Sequence, residues 1–302
     1  MQQPFYACEH SQQVNESFFA TAPRSETWIL LEYPRPWSAE AYPDSTIPTE
    51  VKAHIDAQMA LMSFPRLQLI ARSHNQAELA NLSLYVINAG LQSQQIRHFT
   101  LPTYADLLDL PLAAIAVGER EHGEIITGPV YIVCTNGKRD VCCSRHGLGL
   151  FNALREHGGE HVWQSNHIGG HRFAGTLVTF PHGLYYGRVA PKDVPALVKA
   201  TAQGEALLSH VRGRACLEAV IQAAEYYLHQ ETGQITLDAF MLCDVEQADK
   251  HWHVWFENDA HRYRVTVGKV MSSFEIFVDS TSSETKSVPE YPLVGFETLG
   301  QA

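Results

Sequence analysis

Apolar positions recur along the first two thirds of the chain with two periods, one typical of strands and one of helices. Residues 48–63 space their apolar side chains three or four apart, which predicts an amphipathic helix. Helices are also predicted at 148–159 and over most of 194–213. Short apolar runs rich in β-formers predict strands at 27–33, 66–73, 82–89, 128–137, 161–167, 176–181 and 184–189. This succession favours a mixed sheet with helices on both faces.

The pattern changes after Arg214. A predicted helix that ends at Gly233 is followed by an apolar segment and then by three segments in which apolar and polar residues alternate. These three segments, typical of half-exposed antiparallel strands, are residues 252–258, 261–268 and 273–280. We therefore predict two domains, the first over residues 1–212 and a small α+β domain over residues 213–302.

Composition narrows the class of protein. The chain has 302 residues, of which 45% are hydrophobic and 18% charged, so it is long and apolar enough to bury a core. A net charge of −11 disfavours sequence-independent binding to the phosphate backbone of nucleic acids. No apolar run reaches the roughly 20 residues of a membrane span, and the first residues lack the pattern of a secretory signal. We expect a cytoplasmic protein that binds neither nucleic acid nor membrane.

Cysteine and histidine carry the candidate chemistry, with 6 and 16 copies. Three of the cysteines, Cys134, Cys142 and Cys143, lie within ten residues, and clustered cysteines in a reducing compartment indicate metal binding or redox activity. Cys216 and Cys243 lie in apolar segments and are interpreted as small buried hydrophobes. Cys8 has no predicted role.

The segment from Cys134 to Cys143 is predicted to be a loop between a strand and the helix at 148–159. Lys138, Arg139 and the approaching helix end favour anionic sulfur, the form that binds metal or attacks a disulfide. Three cysteines packed at a strand end are the alternative, which does not explain the charged neighbours. His167 and His171 flank a Gly-Gly turn further along the chain.

Two cysteines and two histidines make four candidate metal ligands, although an ordinary Gly-Gly turn flanked by histidines is the competing interpretation. A Cys₂His₂ set is compatible with structural zinc. Cys134 and Cys143 are nine residues apart, however, and typical zinc ligands are closer in sequence. Iron–sulfur clusters often have more open spacings, and Rieske-type centres combine cysteine and histidine ligands.

The two motifs together resemble the sucrase/ferredoxin-like family, in its bacterial type, whose members are relatives of the thioredoxin-like [2Fe–2S] ferredoxins. The matching residues are Cys134, Gly137, Arg139, Asp140 and Cys143 in the first motif, and His167, Gly169, Gly170, His171, Arg172, Phe173 and Ala174 in the second. The segment TWILLEYPRPW, residues 27–37, also fits, and the resemblance covers roughly residues 1–212.

The resemblance implies an α/β chain with a thioredoxin-like mixed sheet, flanking helices and a [2Fe–2S] cluster. It implies Cys134 and Cys143 as thiolate ligands, with Cys142 as the alternate to Cys143. It also implies His167 and His171 as imidazole ligands of the metal.

Arg139 and Asp140 are predicted to surround the ligands, either as an ion pair that fixes the loop or as donors to cluster sulfur. A solvated charge pair is the alternative. The leading hypothesis is an electron-transfer or redox protein, more a carrier than an enzyme, with a reductase or electron acceptor as its partner. A thiol–disulfide oxidoreductase that uses Cys142 and Cys143, and a structural zinc-binding interaction protein, remain open as alternatives.

Overall fold

The structure, a computed structural model, describes residues 6–74, 80–120 and 122–300, so the outermost ends of the two predicted domains lie outside it. Within these ranges no helix is both long and apolar enough to cross a bilayer. Short 3₁₀ helices occupy Tyr104–Asp109, His171–Phe173, Pro191–Asp193 and Leu208–His210. The α-helices are Ala7–Gln13 (α1), Thr49–Met59 (α2), Leu112–Ala116 (α3), Val141–His157 (α4), Val194–Ala202 (α5) and Ala219–Thr232 (α6).

A large mixed sheet confirms the coarse prediction of an α/β chain. Its strands among the described residues are Thr27–Glu32 (β1), Pro65–Ala71 (β2), Leu82–Ala89 (β3), Gln94–Leu101 (β4), Glu124–Ile125 (β5), Val130–Cys134 (β6), Val162–Ser165 (β7), Leu177–Phe180 (β8), Leu184–Tyr186 (β9) and Val211–Arg214 (β10). Their order across the sheet is β10-β9-β8-β6-β7-β2-β1-β3-β4-β5. Strands β6 and β7 are parallel, and α4 connects them.

Two parts of this sheet differ from the prediction. The helix predicted to reach residue 213 ends at Ala202, because the chain turns at Gly204 with a φ of 68°. The residues that follow return as β10 and pair with β9 at the edge of the sheet. Strand β4 was not predicted, since its many polar residues obscure the apolar alternation.

A second, antiparallel sheet forms towards the end of the described chain. The remaining strands are Met241–Ala248 (β11), His251–Glu257 (β12), Arg262–Gly268 (β13), Val270–Met271 (β14), Ile276–Phe277 (β15), Thr285–Lys286 (β16), Pro289–Glu290 (β17) and Leu293–Thr298 (β18). The sheet has the order β11-β12-β13-β18, and α6 packs on it. The strand predicted at 273–280 is only β15, because Asp279 Oδ1 then accepts backbone N–H groups of a turn.

Alternate residues of the central strands face two different layers. Tyr131 and Val133 of β6 pack with α4 and α5, whereas Ile132 and Cys134 pack with Trp163 and the opposite face of β1. The other face of β1 packs with α2. Helices α2, α4 and α5 therefore share one face of the sheet, while Gln222 of α6 packs against Gly213 of β10 and bonds to Ala22 on the other face.

Helix α4 begins seven residues earlier than predicted, at Val141 rather than at residue 148. The Asp140 carboxylate causes this start, because its Oδ1 accepts the N–H of Cys142 at 2.8 Å and caps the helix. Cys142 and Cys143 consequently lie in the first turn of a helix and not in a loop. Thiolates are stabilised at this end of a helix.

Helix α4 lies so close to β6 that Gly147 is needed at the crossing. A Cβ atom added there would overlap the carbonyl oxygen of Cys134. Gly149, two residues along the same helix, is exposed, and its added Cβ would make only ordinary contact with Pro191 at 3.6 Å. The two glycines therefore differ in packing although both are helical.

We expect Gly147→Ala to lower the free energy of unfolding by about 1–3 kcal/mol, because the new methyl group overpacks the crossing. The matched variant Gly149→Ala should leave stability unchanged or raise it by up to about 1 kcal/mol, since alanine favours helix. Urea unfolding monitored by circular dichroism compares the two. Equal effects of both substitutions would contradict the tight crossing.

Candidate metal centre

Two cysteines and one histidine bring their ligand atoms together at one end of the large sheet. The Sγ atoms of Cys134 and Cys143 and one ring nitrogen of His167 all lie within 4.8 Å of one another. His167 Nδ1 is 3.8 Å from Cys134 Sγ and 3.6 Å from Cys143 Sγ. Both cysteines are 1% exposed. We refer to these three residues as the donor cluster.

The path of the chain explains why residues so distant in sequence meet here. Cys134 is the last residue of β6, and His167 follows the neighbouring parallel strand β7, so both lie where parallel strands end. Cys143 comes from the first turn of α4, the helix that connects the two strands. Each member of the donor cluster therefore belongs to one βαβ unit.

The two sulfur atoms affect each other's protonation. A hydrogen bond from Cys143 lowers the pKa of Cys134 well below that of an ordinary thiol, and His167 adds to this effect, while burial opposes it. The same contact, together with burial, raises the pKa of Cys143. A thiolate at one of the two sulfur atoms therefore disfavours a thiolate at the other.

His171 lies beside the donor cluster but outside it. Its ring centroid is 5.6 Å from that of His167, and its Nε2 is 2.9 Å from the carbonyl oxygen of Val278. Because a carbonyl only accepts, Nε2 carries the proton in this contact. Burial lowers the pKa of His171, although Asp140 opposes the shift. A neutral ring protonated at Nε2 keeps a lone pair on Nδ1.

Asp140 is a buried hub next to the donor cluster. Its carboxylate accepts the Cys142 N–H, the Ser280 N–H at 2.9 Å and the Ser280 hydroxyl at 3.0 Å. One of its oxygens lies 3.9 Å from His171 Nε2. Arg139 is exposed, and the described residues show no ion pair between it and Asp140. The carboxylate thus fixes backbone on both sides of the pocket.

Cys142, the alternate ligand of the sequence interpretation, is engaged elsewhere. It forms a disulfide with Cys8 of α1, with 6.2 Å between the Cα atoms. Cys8 had no predicted role, and no sequence pattern connects two cysteines that are 134 residues apart. Cys216 is buried as predicted, whereas Cys243 is exposed, contrary to prediction.

The Gly-Gly turn between the two histidines makes room for an arginine. Gly169 and Gly170 have φ values of 92° and 79°, and a Cβ atom on Gly170 would lie 2.5 Å from Arg212 Nη2. Arg212 is 1% exposed, and it donates to the carbonyl oxygens of Gly169 and Thr21. The turn is therefore shaped by a buried guanidinium group.

Comparison with known proteins gives the chain its relatives. The family model described as sucrase/ferredoxin-like matches residues 18–213. Altered inheritance of mitochondria protein 32 of Meyerozyma guilliermondii is 37% identical over 99 residues, which are 29% of this chain and 35% of that protein. Its namesake in Debaryomyces hansenii is 34% identical over 83 residues, 24% of this chain and 30% of that protein. No solved structure matches the chain.

These comparisons correct the functional hypothesis. The prediction of an iron–sulfur, ferredoxin-type electron carrier is wrong, because the curated relatives are named for altered inheritance of mitochondria and not as [2Fe–2S] electron carriers. The chain spans about a third of the length of these relatives, which are yeast proteins, so the bacterial type is not confirmed either. The predicted family, by contrast, is confirmed. Since its model covers most of the chain, this protein belongs to the sucrase/ferredoxin-like family.

Proposed function

We propose that this chain is a metal-binding protein whose centre is held by Cys134, Cys143 and His167. The observation that carries the proposal is the donor cluster itself, two sulfurs and an imidazole nitrogen within 4.8 Å of one another. Thiolate and imidazole are the side chains that bind zinc, copper and iron in proteins. Exposed acidic groups, which often gather without any metal, take no part in it.

The electrostatics of the cluster suits a cation. The contact between the two buried sulfurs lowers the pKa of Cys134 and, together with burial, raises the pKa of Cys143, so each thiolate disfavours the other. A bound metal ion would supply positive charge that allows both to be thiolates at once. Of the nearby arginines, Arg139 is exposed and the buried Arg212 donates to backbone carbonyl oxygens.

We propose His171 as a further ligand. Ligating histidines commonly donate their other ring N–H to a carbonyl or carboxylate, which fixes both the tautomer and the ring orientation. His171 already donates from Nε2 to the Val278 carbonyl oxygen, and a carboxylate oxygen of Asp140 lies nearby. Its Nδ1 lone pair is therefore available, and the ring stands beside that of His167.

We further propose that the centre of the large sheet is thioredoxin-like. The parallel β6–α4–β7 unit is followed by the antiparallel pair β8 and β9 and then by α5, and the four strands are ordered β9-β8-β6-β7. A βαβ unit joined to a hairpin and a final helix supports this relationship. A cytoplasmic location is likewise a proposal, supported by the four cysteines that are free thiols, and in that compartment the Cys8–Cys142 disulfide would be exposed to cellular reductants.

We expect the full-length protein, purified under nitrogen, to contain metal that Cys143→Ser removes, because a serine oxygen is a poor ligand for a thiolate-preferring ion. Cys216→Ser is the matched control, since Cys216 is also a buried free cysteine but lies outside the donor cluster. Elemental analysis and a sulfide assay give the metal content. Zinc alone identifies a single-ion centre, and iron with inorganic sulfide identifies a cluster.

The two cysteine variants also decide against the proposal. Metal that persists in Cys143→Ser, or that disappears equally from Cys216→Ser, would place the binding site elsewhere. A wild-type protein that contains no metal and takes up neither zinc nor iron would exclude the centre altogether.

We expect His167→Ala to abolish tight metal binding and His171→Ala to weaken it by at least about 10–100-fold, the effect of losing even a group that only supports a ligand. Competition with a chromophoric chelator measures both affinities. His171 lies outside the closest group of donor atoms, so we expect its loss to reduce the metal affinity less than the loss of His167. Equal reductions in affinity would show that both histidines are equivalent ligands. An unchanged affinity in His171→Ala would contradict its role.

A further inference from the structure

The Cys8–Cys142 disulfide joins the first described helix to the donor cluster. Cys142 precedes Cys143 in the first turn of α4, and Cys8 lies in α1. Both cysteines are 0% exposed, and they pack with Ala174 and the ring of Tyr6. A covalent bond therefore holds α1 against the helix end that supplies one of the cluster sulfurs.

Helix α1 is also bonded to a segment from the far end of the chain. The Ala7 N–H donates to the Ser280 hydroxyl oxygen at 3.1 Å, and Ser280 in turn donates to Asp140. The His10 ring meets the edge of Phe277 with 4.8 Å between centroids. We call α1 together with residues 276–286 the cap.

The cap reaches the pocket on two sides. On one side, the disulfide fixes it to the helix turn of Cys143. On the other side, the carbonyl oxygen of Val278 accepts the His171 N–H, so the cap holds the histidine next to the donor cluster. Release of the cap would therefore loosen His171 and the first turn of α4, which carries Cys143, together.

A cleft opens next to the side chains that pack on the disulfide. It has a volume of about 280 Å³, and its lining includes His146, Arg145, Ala174 and Arg188. His146 Nε2 lies 3.7 Å from Cys8 Sγ, and Ala174 packs on both cysteines, so these two residues separate the cleft from the bond. The arginines favour the approach of an anionic thiolate, although Arg145 is partly compensated by Glu9 at 3.1 Å.

We propose that the Cys8–Cys142 disulfide is a redox latch that holds the cap beside the donor cluster and is opened by a dithiol reductant that approaches through the cleft. A reductant thiolate attacks one latch sulfur, forming a mixed disulfide and releasing the other latch cysteine as a thiolate that takes up a proton. The second reductant thiol then attacks the mixed disulfide. Two latch thiols and one oxidised reductant result, a transfer of two electrons.

The latch deepens the proposed function, and it rests on that function only for what the pocket holds. Attachment of the cap beside Cys134 and Cys143 requires no metal. The test below therefore measures the accessibility of these two thiols in protein treated with a chelator. A protein that binds no metal still passes or fails it.

Site-resolved alkylation tests the latch in the full chain. Two samples of chelator-treated wild-type protein are compared, one oxidised and one reduced with dithiothreitol and desalted under nitrogen. Both are treated with iodoacetamide, and peptide mass spectrometry gives the alkylation rate at each cysteine. We expect the alkylation rates at Cys134 and Cys143 to rise by about tenfold or more on reduction, because the free energy of opening the cap becomes smaller. Reoxidation of the same sample should restore the slow rates.

Two variants separate the latch from general effects of reduction. Cys8→Ser should show the fast rates without any reductant and no further rise with it. Cys243→Ser, which lacks an exposed free thiol, should behave like the wild type. In the wild type, the alkylation rate at Cys243 should not change on reduction. Circular dichroism confirms that each variant is folded, and reversible reduction of the wild type replaces Cys8→Ser where that variant is not.

Three results would overturn the latch. The first is a rate at Cys134 and Cys143 that stays within about twofold when the disulfide is opened, since local opening would then be independent of it. The second is an equal rise at Cys243, which would indicate general unfolding. The third is a purified chain in which Cys8 and Cys142 resist oxidation to a disulfide.

Discussion

The buried carboxylate of Asp140 is the interaction on which the arrangement around the donor cluster depends. It caps α4 through the Cys142 N–H and so determines where Cys143 points, and it binds both polar groups of Ser280 from the far end of the chain. Because a buried carboxylate is costly without partners, these donors and the carboxylate stabilise one another. One side chain thus couples the helix start, the disulfide and the cap.

A second constraint is the electrostatics of the two buried sulfur atoms. The contact between them lowers the pKa of Cys134 and, together with burial, raises the pKa of Cys143, so a thiolate at one disfavours a thiolate at the other. The nearby buried guanidinium of Arg212 is directed at backbone carbonyls instead. The charge state of the two sulfur atoms therefore depends on what binds in the pocket.

The sequence motifs were enough to predict the family, the mixed sheet and a group of Cys134, Cys143, His167 and His171. Strand ends and a βαβ connection bring the first three together, whereas His171 lies beside them and outside the closest group of donor atoms. The start of α4 was missed, although Asp140 before Val141 is an N-cap signal, because the segment from Cys134 to Cys143 was interpreted as a loop. The partner of Cys8 was beyond prediction, since only tertiary packing decides which cysteines meet across 134 residues. Helix α1 is short and polar, so its sequence shows no clear helical periodicity. Its packing against the rest of the chain stabilises it.

The disulfide has a consequence for the topology of the whole chain. The bond between residues 8 and 142 closes a covalent ring that contains β1 to β6, more than half of the strands of the large sheet. The later strands and α6 lie outside this ring. In the oxidised protein the unfolded ring is restricted, which by the chain-entropy account favours the native state by roughly 4–5 kcal/mol. A single protease cut anywhere in the ring would leave the two pieces covalently attached, so the fragments would separate only under reducing conditions.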